Sequence, residues 1–173
     1  MVELVQSPDA EARELARRLL AEARHAVLAT IGDAGRPFAS RIALGRAPGG
    51  GLLTLVSDLA LHSAHMRARP EVALMVGEVG AKGDPLVWPR LTVEARALPV
   101  AADERPSLSQ TWLAEHPKAA LYIDFADFRF VRFDVHGGFL NAGFGKAFRL
   151  SPEDMGLRKQ GDGSPAAGGD KNG

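Results

Sequence analysis

A mainly β domain is the fold this chain predicts: a six- to seven-stranded antiparallel barrel with an N-terminal helix and a few peripheral helices. Three observations predict it. From Ala26 onward the apolar residues fall in short runs, at 26–31, 38–44, 52–56 and 72–76, each bounded by turn residues. Leu91, Val93, Ala95 and Ala97 alternate with Arg90, Thr92, Glu94 and Arg96, the pattern of a strand with one wet face. Closely spaced strands with few helices between them favour closure, which removes exposed edges.

Taken in order, Ser7-Pro8-Asp9 reads as a helix start, with Ser7 as cap, Pro8 at the first helical position and acid in the first turn. Ala12, Leu15, Ala16, Leu19 and Ala23 share one face of that helix, while Arg13, Glu14, Arg17, Arg18 and Glu22 take the other. The strand-like segment from Pro37 to Leu44 leads through a glycine turn to the apolar run Leu52-Leu53-Thr54-Leu55-Val56. Ser57-Asp58 then opens a helix over 59–69, stopped by Pro70. Two more helices are expected between Asp103 and Tyr122, with Leu108 and Trp112 on one face and a break at His116-Pro117. Strands over 128–135 and 139–144 complete the barrel. Beyond Leu150 periodicity is lost, and 161–173 holds five glycines and no large apolar residue. The expectation is one domain over 1–150 and a disordered glycine-rich tail over 151–173.

Composition narrows the function. The 173 residues, 46% hydrophobic and 24% charged, suit one globular domain with a sizeable core. Lys plus Arg and Asp plus Glu both number 21, so nothing favours nucleic acid or an anionic membrane surface as a general partner. The absence of cysteine excludes disulfides, thiolate catalysis, iron–sulfur clusters and Cys-type zinc sites. It also fits a reducing cytoplasm. Met1-Val2-Glu3-Leu4-Val5 is not a basic region leading an apolar run, and no stretch approaches the ~20 apolar residues that span a bilayer. A cytoplasmic protein is expected.

One constellation points to chemistry. A helix N-terminus delivered by a buried strand is an anion site, since its unpaired N–H groups and positive dipole end point outward. Arg41, Ser57, His62 and Arg67 group around the proposed helix start, a donor set for a phosphorylated cofactor. The blander reading makes Ser57 a helix cap and Arg41 a solvated strand residue. His62 and His65 lie one helical turn apart, yet without a third ligand nearby in sequence they do not make a metal site. Residues 136–147 are rich in glycine where a strand passes close to a planar group or another backbone, but follow no βαβ pattern and are no dinucleotide fingerprint. Asp124, Asp127 and Asp134 read as partners of Arg129 and Arg132 rather than as acid–base catalysts.

This order of elements resembles the FMN-binding split-barrel family related to pyridoxamine 5'-phosphate oxidase, over residues 10–150. Asp84-Pro85-Leu86-Val87-Trp88-Pro89-Arg90-Leu91-Thr92-Val93, followed by Gly143-Phe144-Gly145-Lys146-Ala147, is most similar to the haem-utilisation branch. The resemblance implies a Greek-key split barrel and a homodimer with FMN at its interface, acting as a flavin-dependent oxidoreductase on a small molecule. It places Arg41 and Ile42 where the flavin-contacting strand begins. Ser57 and His62 resemble a serine and a histidine of the haem-utilisation branch, while the wider family's Arg-Lys phosphate pair falls on Leu61 and His62. Arg67 is a further phosphate candidate. Arg90 falls where family members contact the flavin ring, with Asn141 and Lys146 in a segment reaching the cofactor across the dimer. No side chain is assigned a catalytic role. Vitamin B6 oxidation is not implied, because the matching C-terminal region lacks the tryptophan and paired arginines of true pyridoxamine phosphate oxidases. The alternatives are haem binding and degradation, with His136, His62 or His65 as ligand because 151–173 holds no histidine, and a cofactor-free dimeric binding scaffold.

Overall fold

The computed structural model describes residues 5–157. Among these residues three α-helices, α1 (Ala10–Glu22), α2 (Leu61–Ala68) and α3 (Arg105–Glu115), surround eight strands. These are β1 (His25–Ile31), β2 (Pro37–Ala43), β3 (Gly45–Arg46), β4 (Leu52–Ser57), β5 (Glu71–Val76), β6 (Arg90–Pro99), β7 (Phe128–Asn141) and β8 (Ala147–Leu150). All pair antiparallel in one curled sheet of order β2-β1-β5-β6-β7-β4-β3, with β8 on β7. The sheet rolls far enough for Thr54 Oγ1 of β4 to donate to the Ala43 carbonyl of β2 at 2.7 Å. No backbone ladder joins β2 to β4, and a seam runs between them. This is a split barrel.

Two hydrophobic layers hold it. Inside, Leu28, Leu74, Leu91, Val93, Leu140 and Leu150 pack beneath Ala12, Ala16 and Leu20 of α1. Outside, Leu53 and Leu55 of β4 and Phe130 of β7 pack under Leu108 and Trp112 of α3. That is why the β4 run is apolar without alternation: both of its faces are covered. Trp112 stacks on His116 with ring centroids 4.3 Å apart and meets Phe130 edge-on at 5.7 Å. A side chain at Gly45 would put its Cβ 2.9 Å from the Trp112 ring, so only glycine lets β3 pass.

Several expected boundaries move, each for a local reason. The α1 cap is Asp9, whose carboxylate accepts from Ala12 N at 2.8 Å, and not Ser7. Gln6 pairs with the β8 backbone on both of its polar groups, which keeps the chain extended before the helix. The α2 helix begins at Leu61 rather than directly after Ser57, because Ser57 Oγ accepts from Leu59 N at 3.1 Å and folds a separate turn first. The segment expected as a separate strand over 139–144 is instead the end of β7, which continues past a bulge at His136. With the two-residue β3 and the later β8, the sheet has eight strands rather than six or seven.

The packed chain also extends seven residues beyond Leu150. Pro152, Met155 and Leu157 are buried, and Met155 lies over Gly138, where a Cβ would stand 2.7 Å from its sulfur. Arg13 Nε donates to Asp154 at 2.6 Å and ties the segment to α1. Arg13, with hydrogen bonds from Ser151, holds the Asp154 carboxyl below the usual range. The remainder of the expected glycine-rich tail, from residue 158, lies outside the described residues. No helix among the described residues is long and apolar enough to cross a membrane.

Candidate functional site: the barrel seam and the outer sheet face

Strand alternation sorts the candidate residues onto two faces. Ile42 is buried in the barrel, which puts Arg41 on the opposite, outer face of β2. The register carries Arg41's row across the sheet to Val27, Met75, Thr92 and Phe139. Arg90 and Asn141 are paired one step beyond Thr92 and Phe139 on that same outer face. Between them lies an unusual surface for a wet strand face: Val27, Ala29, Ile31, Ala39, Ala73 and Met75, with Ile31 and Met75 38% and 41% exposed.

At the seam, α2 closes the barrel with histidines. His62 Nδ1 lies 3.1 Å from Ser40 Oγ of β2, and His65 Nδ1 lies 3.0 Å from Thr30 Oγ1 of β1. Phe38 meets His65 edge-on, and a Cβ at Gly32 would fall 2.9 Å from His65 Nε2. His62 Nε2 is buried with no hydrogen-bond partner among the described residues. Burial, and secondly the neighbouring His65, lower the His62 pKa and favour the neutral ring. A buried, unpaired ring nitrogen costs stability until something meets it.

The phosphate cluster expected from the sequence is therefore only partly assembled. Arg41 makes no hydrogen bond or ion pair within the described chain, and His62 keeps one nitrogen unmet, so both retain donor capacity for an anion. Ser57 is already committed, its hydroxyl donating to Asp127, a carboxylate that would repel a phosphate. Arg67 donates to Asp58 at 3.0 Å from another face of α2, about 140° round from His62 at 3.6 residues per turn. The ring-contacting candidates lie elsewhere. Arg90 donates to the carbonyls of Leu86 and Trp88, Asn141 Oδ1 accepts from Gly143 N at 3.2 Å, and Lys146 is exposed on the β7–β8 turn beside a Phe144 that is 97% exposed. Arg90 is three strand positions from β2, ~14 Å at ~4.8 Å per strand. One chain thus presents two half-sites.

The three haem-ligand candidates are not equivalent. His136 is exposed at the bulge, 3.6 Å from Glu71, while His62 and His65 are turned toward Ser40 and Thr30. Among the described residues no group of three His, Asp or Glu is placed to hold a metal ion. Sequence reading missed Ser40 and Thr30, whose role shows only when α2 is laid against β1 and β2. Their place on the same inward parity of paired strands was the available signal.

An antiparallel barrel split between two strands, with an edge strand and a helix lining the split, defines a class: the split barrels. Residues 12–141 match the pyridoxamine 5'-phosphate oxidase family, and the chain belongs to it. A curated relative, a non-canonical haem oxygenase of the chloroplast from Arabidopsis thaliana, is 29% identical over 100 residues, 58% of this chain and 30% of that protein. A haem-binding protein from Mycobacterium smegmatis is 28% identical with a TM-score of 0.75, covering 87% of this chain and 61% of its own. A protein of unknown function from Agrobacterium tumefaciens is 30% identical with a TM-score of 0.76, covering 89% of this chain and 65% of its own. The chain spans less than two thirds of each of these three proteins.

Proposed function

We propose that the chain forms a cytoplasmic homodimer, binds FMN between two copies, and acts as a flavin-dependent oxidoreductase on a small molecule. The observation that carries this reading is the bare outer face of β1, β2 and β5, apolar where solvent would favour polar side chains, with the unpaired Arg41 at its edge. A second copy on that face buries it and brings Arg90 and Asn141 of one chain toward Arg41 on the β2 edge of the other, where a phosphate at that edge would also face the seam that holds His62 behind β2. Arg41 and His62 suit the phosphate. Arg90, Asn141 and Lys146 suit the ring. Bound FMN supplies the two-electron chemistry, and the chain's own residues bind and orient it.

Two measurements test this. Sedimentation equilibrium at micromolar concentration should show a dimer, and Ala39→Glu, which places a charge in the centre of the bare face, should give a folded monomer. The visible spectrum of protein purified under native conditions, taken again after adding FMN, should show bound flavin in the dimer and none in the Ala39→Glu monomer. A dimer that takes no flavin favours the scaffold reading.

Haem is the second reading, supported by what two relatives at 28–29% identity are named for. The expected result of a haemin titration is weak binding, with no turnover. Stoichiometric binding, with a biliverdin-like product in the presence of reductant and oxygen, would put haem first.

A further inference from the structure

A second feature lies on the face of α2 turned away from the seam. An open groove of about 690 Å³ runs between α2, the end of β6 and the start of β7. Its walls are hydrocarbon, chiefly Val56, Met66, Pro70, Phe130 and Val131. Its polar groups are few: Ser63, Arg67, Arg96 and Arg129, with Asp58 as the sole carboxylate among the lining residues, and of these Arg67, Arg129 and Asp58 meet at one corner. Asp58 accepts from Arg67 Nη1 at 3.0 Å and faces Arg129 Nε at 3.4 Å. Arg96 is taken by Glu71 at 2.7 Å.

The charges do not balance. Among the lining groups Asp58 is shared by Arg67 and Arg129 and Arg96 is offset by Glu71, so the lining groups of the Arg67–Asp58–Arg129 corner sum to one positive charge, with the neighbouring Asp127 carboxylate engaged by the Ser57 hydroxyl. A guanidinium has five N–H donors, and those of Arg67 and Arg129 are only partly used. Apolar walls of ligand size with a few convergent polar groups are the ordinary make-up of a small-molecule site.

We propose that this groove binds a small amphipathic monocarboxylate, its head on Arg129 and Arg67 and its apolar body along Met66, Phe130 and Val131. One net positive charge matches one carboxylate. A dianion such as a phosphate monoester would meet Asp58 at the same corner and be repelled. The site does not rest on the flavin reading, since it lies away from His62 and Arg41.

Calorimetric titration of the full chain with decanoate, decanol and decyl phosphate, below their aggregation limits, tests it. Decanoate should bind saturably at one per chain, at least tenfold more tightly than decanol or decyl phosphate. Arg129→Gln should weaken decanoate about tenfold and leave decanol within twofold, the lower end of what a charged hydrogen bond contributes. Asp58→Asn keeps all three arginines and should strengthen decanoate by a similar factor, because it frees two guanidiniums. The opposite signs separate a binding role from loss of fold, and a thermal melt of each variant checks the latter. Absence of saturable binding, equal affinity for decanoate and decanol, preference for the phosphate, or weakening by both substitutions would overturn the proposal.

Discussion

FMN and riboflavin differ only in the phosphate, so replacing Arg41 and His62 together by alanine distinguishes a phosphate contact from a role in folding. Arg41 is exposed and unpaired, and its charge-assisted hydrogen bond belongs at the low end of the usual range, about 1.5 kcal/mol. His62 offers a buried nitrogen with no partner among the described residues, but burial favours its neutral ring, and the proton it takes up to make a charge-assisted bond to a phosphate offsets part of a similar gain. Together they contribute about 2.2 kcal/mol, roughly fortyfold in FMN affinity. Riboflavin affinity should change less than threefold, since the loss of the Ser40 contact to His62 acts on both ligands alike. Parallel titrations by flavin fluorescence quenching at pH 7 measure the difference. The His62 proton adds a second signature: because binding takes up a proton, wild-type FMN affinity should rise as pH falls from 8 toward 6.5, while riboflavin stays flat. Equal losses for both ligands would refute the argument and leave Arg41 and His62 as parts of the fold.

Three further outcomes follow from the packing. The folded His62 pKa is depressed below its ordinary 6.5, so the unfolded chain takes its proton first; stability present above pH 6.5 should fall as pH drops below it, by at most ~1.4 kcal/mol per pH unit, and denaturant titrations at pH 8 and 5.5 should show this slope lessened in His62→Gln. Trp112→Ala should cost about 3–5 kcal/mol in urea denaturation, because the indole fills the layer between α3 and β4; a cost under 1 kcal/mol would mean that this layer is not part of the cooperative core. Met155→Ala should cost about 2–5 kcal/mol if 151–157 is part of the domain, and nothing measurable if that segment is detached.

Much of the architecture was legible because local chemistry and tertiary structure agree. The alternating β6 pattern, the doubly apolar β4 run, the Pro70 stop and the His116-Pro117 break each have a one-dimensional cause, and each element stands where that cause puts it. Where the sequence misled, a distant partner decided. Ser7 lost the cap because Gln6 pairs with β8, and residues 151–157 joined the core because Gly138 leaves room for Met155. The candidate site residues could be named from the sequence, as arginines, a serine and a histidine, but not their directions. Strand parity alone puts Arg41 and Ile42 on opposite faces; only the packing of α2 on β1 and β2 gives His62 to Ser40 and turns Arg67 to Asp58. Residue types set which bonds a side chain can make. Which of the competing partners it meets depends on groups tens of residues away, brought near by the closing sheet, and that choice belongs to the tertiary structure.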